Sequence, residues 1–290
     1  MLGVKPVCET FHWAHGCFVL SARPEIRLYS TKGEFFMAGR PIRAITFDLW
    51  DTILVDDSDE PKRSAQGLAP KRVERRNLVE KFLGMNEPMP RELIDVAYDT
   101  ADAAFWQVWY TQNITWTVRE RLSVLLNGLG RQLPQAQLDE LVRLHEDMEL
   151  SPSPDVAPQL AKALEELHGK YRLGVVSDTI FSPGRVLRQL LARHDILRFF
   201  DSFVFSDEAG CAKPSAALFE AAAKDLSVTL GEIVHIGDRE SKDIEGPHAV
   251  GARAILCTVS RDRSSQDTKA DAICSDFKDL PAIVEKLNQR

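Results

Sequence analysis

This 290-residue sequence predicts an α/β fold, a doubly wound parallel sheet with an inserted helical segment. Three observations predict it. From about residue 155 onward, short and nearly continuous apolar runs alternate with amphipathic helical stretches, the pattern of parallel strands covered on both faces. One further run of that kind, ending at Phe47-Asp48, stands ahead of all the others. Between it and the next run, helical periodicity holds unbroken for roughly 80 residues.

Taken in order, residues 1–40 mix aromatics, Cys, Gly and Pro without a sustained period and read as an N-terminal extension, dispensable or preceding the natural start at Met37. Arg27-Leu28-Tyr29-Ser30 resembles a presequence cleavage site, which leaves an organellar address as the weaker alternative. Glu9, Glu25 and Glu34 spoil the acid-poor composition such peptides need. The first strand spans Ile42 to Leu49. The helical stretch follows, with Leu78, Val79, Phe82 and Leu83 as one stripe and Leu93, Ile94, Ala97, Ala101, Ala104, Phe105 and Val108 as another. Thr117 and Glu120 have capping-box spacing and open a helix that runs to Leu129. Leu138, Leu141, Val142 and Leu144 mark a last helix, and Ser151-Pro-Ser-Pro154 reads as a hinge.

After a helix at about 155–169, strands are expected at Arg172–Ser177, Ser202–Ser206, Ile233–Ile236, Arg253–Cys257 and Ala272–Cys274. The helices between and after them are expected at Val186–Ala192, Ala216–Asp225, Ser241–Val250 and Phe277–Leu287. The expected domains are therefore a core of 41–56 with 152–290, and a helical domain of 57–151.

A net charge of −7 without a long basic run argues against a nucleic-acid partner. No apolar stretch reaches the roughly 20 residues that cross a bilayer, so no membrane partner is expected. Five scattered cysteines without CxxC spacing read as free thiols of a reducing compartment, and the expected location is cytoplasmic. The charge run Lys71, Arg72, Arg75 and Arg76 is expected to be a solvated face. Oligomeric state is not encoded in any pattern here.

Four segments lie at or just beyond the C-terminal ends of predicted parallel strands, where loops and helix N-termini converge on ligands. Phe47-Asp48-Leu49-Trp50-Asp51-Thr52 presents a carboxylate that burial makes dependent on a positive partner, and that can then attack an electrophile. Val176-Ser177-Asp178-Thr179 offers a hydroxyl. Ala212-Lys213-Pro214-Ser215 sets an ammonium before a proline expected to start the next helix. In Gly237-Asp238-Arg239-Glu240-Ser241-Lys242-Asp243, the glycine is expected to turn the chain sharply. The two aspartates are expected one helical turn apart, facing Asp48 as hard oxygen ligands suited to Mg²⁺.

In order and spacing these four segments resemble the motifs of the haloacid dehalogenase-like (HAD) hydrolase superfamily. The resemblance covers nearly all of residues 42–260, and the helical segment after the first motif is similar to that superfamily's helical cap. It implies a Rossmann-like core and an aspartyl-enzyme formed on Asp48. It further implies that Ser177 bonds the transferring group, with Lys213 steadying the charge and Thr52, Asp178 and Thr179 contacting substrate. Mg²⁺ would be held by Asp48, Asp238, Asp243 and the backbone carbonyl of Trp50. The implied substrate is a small phosphorylated molecule.

One position departs from the pattern. Phosphatases of the superfamily carry an aspartate two residues after the nucleophile as general acid, and this chain has Trp50. Indole does not exchange protons at neutral pH, so an ordinary alkyl phosphate is expected to turn over slowly, general acid catalysis being worth roughly 10²–10⁴-fold. Dehalogenase-like and phosphonate-cleaving branches also lack that aspartate. They stand as alternatives, beside a catalytically silent protein that binds a phosphorylated ligand. Of the aromatics Phe105, Trp106, Trp109, Tyr110 and Trp116, most are expected to be core, with one or two roofing the site beside Trp50. His235 and His248 are expected to be structural.

Overall fold

The structure, a computed structural model, describes residues 40–263 and 265–289. The expected N-terminal extension therefore lies outside the described residues but for Arg40, as do Cys8 and Cys17. The remaining three cysteines, Cys211, Cys257 and Cys274, are free thiols.

Six strands form one parallel sheet: β1 Ala44–Phe47, β2 Arg172–Ser177, β3 Ser202–Phe205, β4 Ile233–Gly237, β5 Arg253–Cys257 and β6 Ala272–Cys274. Their spatial order is β3-β2-β1-β4-β5-β6. The chain winds outward from β1 through β2 to β3, then returns to β4 on the other side. The gap between β1 and β4 is therefore the topological switch point, where open α/β sheets bind their ligands. Registers Phe47↔Val175 and Phe47↔Ile236 bring the ends of β2, β1 and β4 level, so the residues just past them share one edge. Every residue of β1 is buried, as its unbroken apolar run requires.

Between β1 and β2 lie α1 Glu60–Ala65, α2 Lys71–Gly84, α3 Arg91–Gln112, α4 Val118–Gly128, α5 Gln135–Glu146 and α6 Leu160–Leu167. The last starts later than its pattern suggests, because Pro158 precedes Gln159, whose φ of 63° is left-handed rather than helical. The capping box is present: Thr117 Oγ1 accepts from the Glu120 N–H, and Glu120 Oε2 accepts from the Thr117 N–H at 2.7 Å. Helices α2 to α5 enclose an apolar cluster that includes Val79, Leu83, Ile94, Leu122 and Leu141. Truncating one such buried leucine costs about 2–5 kcal/mol. On α3 the buried residues are Ile94, Tyr98, Ala101, Phe105 and Trp109, so Ile94, Ala101 and Phe105 of the expected stripe are buried, Leu93 is exposed, and Tyr98 and Trp109 join them.

The rest of the chain adds α7 Gly184–Arg193, the short α8 Ser206–Ala209, α9 Ala216–Asp225, α10 Glu245–Ala249 and α11 Leu280–Asn288. Pro214 does not open α9 as expected. It lies ahead of the capping residue Ser215, in a cis peptide with Lys213. Among the described residues, no helix is long and apolar enough to cross a membrane.

Candidate active site

Asp48 directly follows β1 at the switch point, where its N–H donates to the Ile236 carbonyl at 2.8 Å and fixes the backbone against β4. The Lys213 ammonium, 2% exposed, donates to Asp48 Oδ1 at 2.6 Å and to Asp243 Oδ1 at 2.5 Å. His235 lies behind, with Nε2 3.2 Å from Asp243 Oδ1 and Nδ1 2.9 Å from Thr46 Oγ1. Burial pushes its imidazole down from the usual range, as a neutral structural histidine requires. His248 instead meets Asp271 at the rim of the sheet.

Three carboxylates, Asp48, Asp238 and Asp243, each offer an oxygen within 4.8 Å of the others. All three are buried, so their charges repel in a poorly solvated space. Burial raises the Asp48 carboxyl and Asp243 adds to the rise, against the pull of Lys213. Burial, Asp48 and Asp243 together push Asp238 up to about 7. Asp243 is the exception: although burial opposes it, Lys213 and His235 hold it well below the usual carboxylate range. The donor set is hard, oxygen-only and short of positive charge, which fits a divalent cation such as Mg²⁺.

The local chain explains how Asp243 gets there. The spacing from Asp238 is spanned by a π-helical turn, Glu240–Ile244, rather than by the start of a regular α-helix. Arg239 N–H donates to Asp243 Oδ2 at 2.9 Å. Gly237 proves necessary for close approach rather than for a sharp turn, being the last residue of β4 with Asp243 packed directly on its Cα.

Arg263 is a site residue the sequence did not reveal. Its Nε donates to Asp238, and its Nη2 donates to Asp51 Oδ2 at 2.6 Å. Asp51, at a left-handed φ of 56°, also accepts from the Asp56 N–H and is turned away from the cavity.

A cavity of about 270 Å³ opens between this edge and helices α2 and α3. Asp48, Lys213, Asp243, Asp178 and Trp50 line its floor. Asp178 accepts from the Lys213 N–H at 2.8 Å, and burial raises its carboxyl to about 6 against the pull of Lys213. Ser177 is fully buried, its hydroxyl donating to the Asp178 carbonyl. Thr179 bonds Ser206 and the Asp207 N–H, and Thr52 Oγ1 is buried without a partner among the described residues. Neither threonine lines the cavity.

Trp106, Trp109 and Tyr110 line it from α3, which makes more of a roof than expected. The charge run on α2 overturns the expectation of a solvated face, since Lys71, Arg75 and Arg76 are all buried. Lys71 sits among Asp59, Asp57 and Glu149, and Arg76 among Asp95, Asp99 and the Tyr98 ring, so partners offset the loss of water. Only Arg72 of the four stays outside.

The model of the haloacid dehalogenase-like hydrolase family matches residues 42–251. A glyceraldehyde 3-phosphate phosphatase of Methanopyrus kandleri is 38% identical over 104 residues, 35% of this chain and 41% of that protein. One of Methanocaldococcus jannaschii is 29% identical over 136 residues, 46% of this chain and 58% of that protein. The chain thus spans between 41% and 58% of the length of these two relatives. The crystal structure of a 2-haloacid dehalogenase from Pseudomonas syringae superposes with a TM-score of 0.56 at 21% identity, over 84% of this chain and 99% of that one, a likeness of fold. By family match, sheet order and fold, the chain belongs to the haloacid dehalogenase-like hydrolases.

Proposed function

We propose that the protein is a Mg²⁺-dependent phosphatase of small phosphorylated substrates that works through an aspartyl-phosphate on Asp48. The observation that carries this reading is the triad of buried carboxylates at the switch point with one ammonium between two of them. A dehalogenase needs a carboxylate nucleophile, but three converging carboxylates serve a cation.

Asp48, Asp238, Asp243 and the Trp50 carbonyl would hold the ion, which when bound supplies charge to offset the phosphoryl oxygens. Lys213 favours the ionised, nucleophilic form of Asp48. An Asp48 oxygen forms a bond to phosphorus as the bond from phosphorus to the leaving oxygen breaks. Water then attacks phosphorus, releasing inorganic phosphate and restoring the carboxylate. Ser177 reaches the transferring group only if its hydroxyl leaves the Asp178 carbonyl. Thr52 and Thr179 are then supports of the loops rather than substrate contacts. The helices between β1 and β2 act as the cap that closes the cavity.

With Trp50 in place of an acid and Asp51 held by Arg263, the leaving oxygen has no proton donor at either position. Acyl and enol phosphates, whose leaving groups need none, are therefore the favoured substrates. The test is a panel of acyl, enol and alkyl phosphates (glyceraldehyde 3-phosphate among them), a phosphonate and a haloacid, with Mg²⁺ or EDTA, on the wild type and Asp48→Asn. The expected result is Mg²⁺-dependent phosphate release, fastest on the acyl and enol compounds and absent in the variant. Halide release that survives EDTA overturns the reading.

A further inference from the structure

Arg75 lines the cavity and is only 6% exposed. Among the described residues, its Nε and Nη2 have no hydrogen-bond partner. The carboxylate paired with it, Glu149 Oε1, stands 3.8 Å from Nη2, too far for a hydrogen bond. A buried arginine is costly unless paired, and burial does lower its pKa, so the arrangement is incomplete as it stands.

The carboxylate beside it is already engaged. Glu149 is held by Lys71 at 3.4 Å and by the Ser182 hydroxyl. Lys71 in turn is saturated by Asp59 at 2.8 Å and Asp57 at 3.3 Å in addition to Glu149. Phe181 holds the guanidinium from one face, its ring centroid 3.6 Å from Arg75 Cζ, and Arg121 stacks on the same ring at 4.0 Å. The plane of the fork is thereby fixed, which suits a planar, bidentate acceptor.

We infer that Arg75 is the anchor for a carboxylate on the substrate, so that the enzyme acts on short phosphorylated carboxylic acids with the phosphoryl group at Asp48 and the carboxylate at α2. The inference rests on the phosphoryl-transfer reading of Asp48. A carboxylate is favoured over a second phosphate because Glu149 leaves room for one compensating charge rather than two, and because a cavity of about 270 Å³ admits only a few heavy atoms beyond the phosphoryl group.

The decisive comparison is phosphoenolpyruvate against isopropenyl phosphate, which differ by a carboxylate in place of a methyl group and both carry an enol leaving group. Wild type with Mg²⁺ is expected to prefer the acid by about 10- to 100-fold in kcat/KM, the worth of hydrogen bonds to a charged group. Arg75→Met is expected to abolish the preference by lowering kcat/KM for phosphoenolpyruvate more than for isopropenyl phosphate, and circular dichroism shows whether the variant folds. Arg75→Lys, which keeps the charge and loses the fork, is expected to fall between, and reads the same ratio if the methionine variant does not fold. Equal losses on both substrates, or no preference in the wild type, overturn the assignment. Preference for propane-1,3-diol bisphosphate over phosphoenolpyruvate overturns it in favour of a second phosphate. If the wild type hydrolyses neither enol phosphate, the phosphatase reading fails on its own. Calorimetric binding of phosphoenolpyruvate to wild type and Arg75→Met then still decides the anchor, with at least a 10-fold weakening expected in the variant and equal binding counting against it.

Discussion

Gly237 and Asp243 are packed so closely that no side chain fits between them. A Cβ at residue 237 would stand 2.5 Å from Asp243 Cβ. Asp243 is the carboxylate that Lys213 and His235 both engage, so it has no room to retreat. Gly237→Ala is therefore expected to displace Asp243, with a stability loss of about 1–3 kcal/mol from overpacking and a larger loss of turnover. Urea denaturation and phosphatase assays on the variant check this. A folded variant with wild-type turnover would show that Asp243 need not stand where it does.

Asp238 gives a test of the cation that does not depend on turnover. If Asp48, Asp238 and Asp243 form its seat, Mg²⁺ binds the folded chain and raises its melting temperature, by the equivalent of about 2.7 kcal/mol at a hundredfold excess over Kd. Asp238→Asn is expected to remove most of that shift. Differential scanning calorimetry with and without Mg²⁺ measures it, and an identical shift in both proteins would rule Asp238 out as a ligand.

How much of this was legible in the sequence depends on the range of the interaction. Asp48, Lys213 and Asp238 were readable because each follows a strand whose apolar run announces it, and parallel strands put their C-terminal ends on one edge. Arg263 was not, since nothing in a polar loop after β5 indicates that it returns to Asp238 and Asp51. Lys71 and Arg75 read as solvated in the sequence because charge runs carry no sign of burial. Their partners Asp59 and Glu149 become neighbours only once the helices fold together. Periodicity likewise indicates the helices between β1 and β2, but it counts Leu93 in the inward stripe of α3, where it is exposed, because the apolar letters outnumber the positions that can be buried.

Trp50 lines the cavity two residues after Asp48, where a proton donor to the leaving group would serve. Trp50→Asp is expected to speed hydrolysis of an alkyl phosphate by about 10- to 100-fold, part of the roughly 10²–10⁴ that general acid catalysis supplies, and to change acyl phosphate turnover little. Steady-state kinetics on the two substrate types separates these. Equal effects on both would mean that the indole acts through packing alone.

Lys71 tests one form of the phosphonate-cleaving alternative, a route through an imine, which only a neutral amine can form. Although burial works against its charge, Glu149 and Asp59 hold the Lys71 ammonium above the ordinary lysine range. Borohydride treatment with phosphonoacetaldehyde is therefore expected to leave the α2 peptide unmodified in mass spectrometry. A reduced adduct on Lys71 would revive that alternative.

His145 makes the stability of the helical segment depend on pH. It is buried beneath Tyr98, with Nδ1 2.8 Å from the Leu141 carbonyl and Nε2 without a partner among the described residues. Burial, with Arg75 and Arg121 adding to it, lowers its pKa to about 3 in the folded chain. In the unfolded chain it titrates near the usual 6.5 or so. Between those two values the unfolded state holds more protons, so this residue's contribution to stability is complete above about pH 6.5 and is lost progressively as pH falls toward 3. At pH 5 the deficit comes to about 2 kcal/mol relative to pH 7.5. His145→Leu is expected to be less sensitive to acid by that amount, whatever its stability at neutral pH. Urea midpoints of both proteins at the two pH values test it, and parallel pH profiles would mean that the imidazole takes up its proton without unfolding its surroundings.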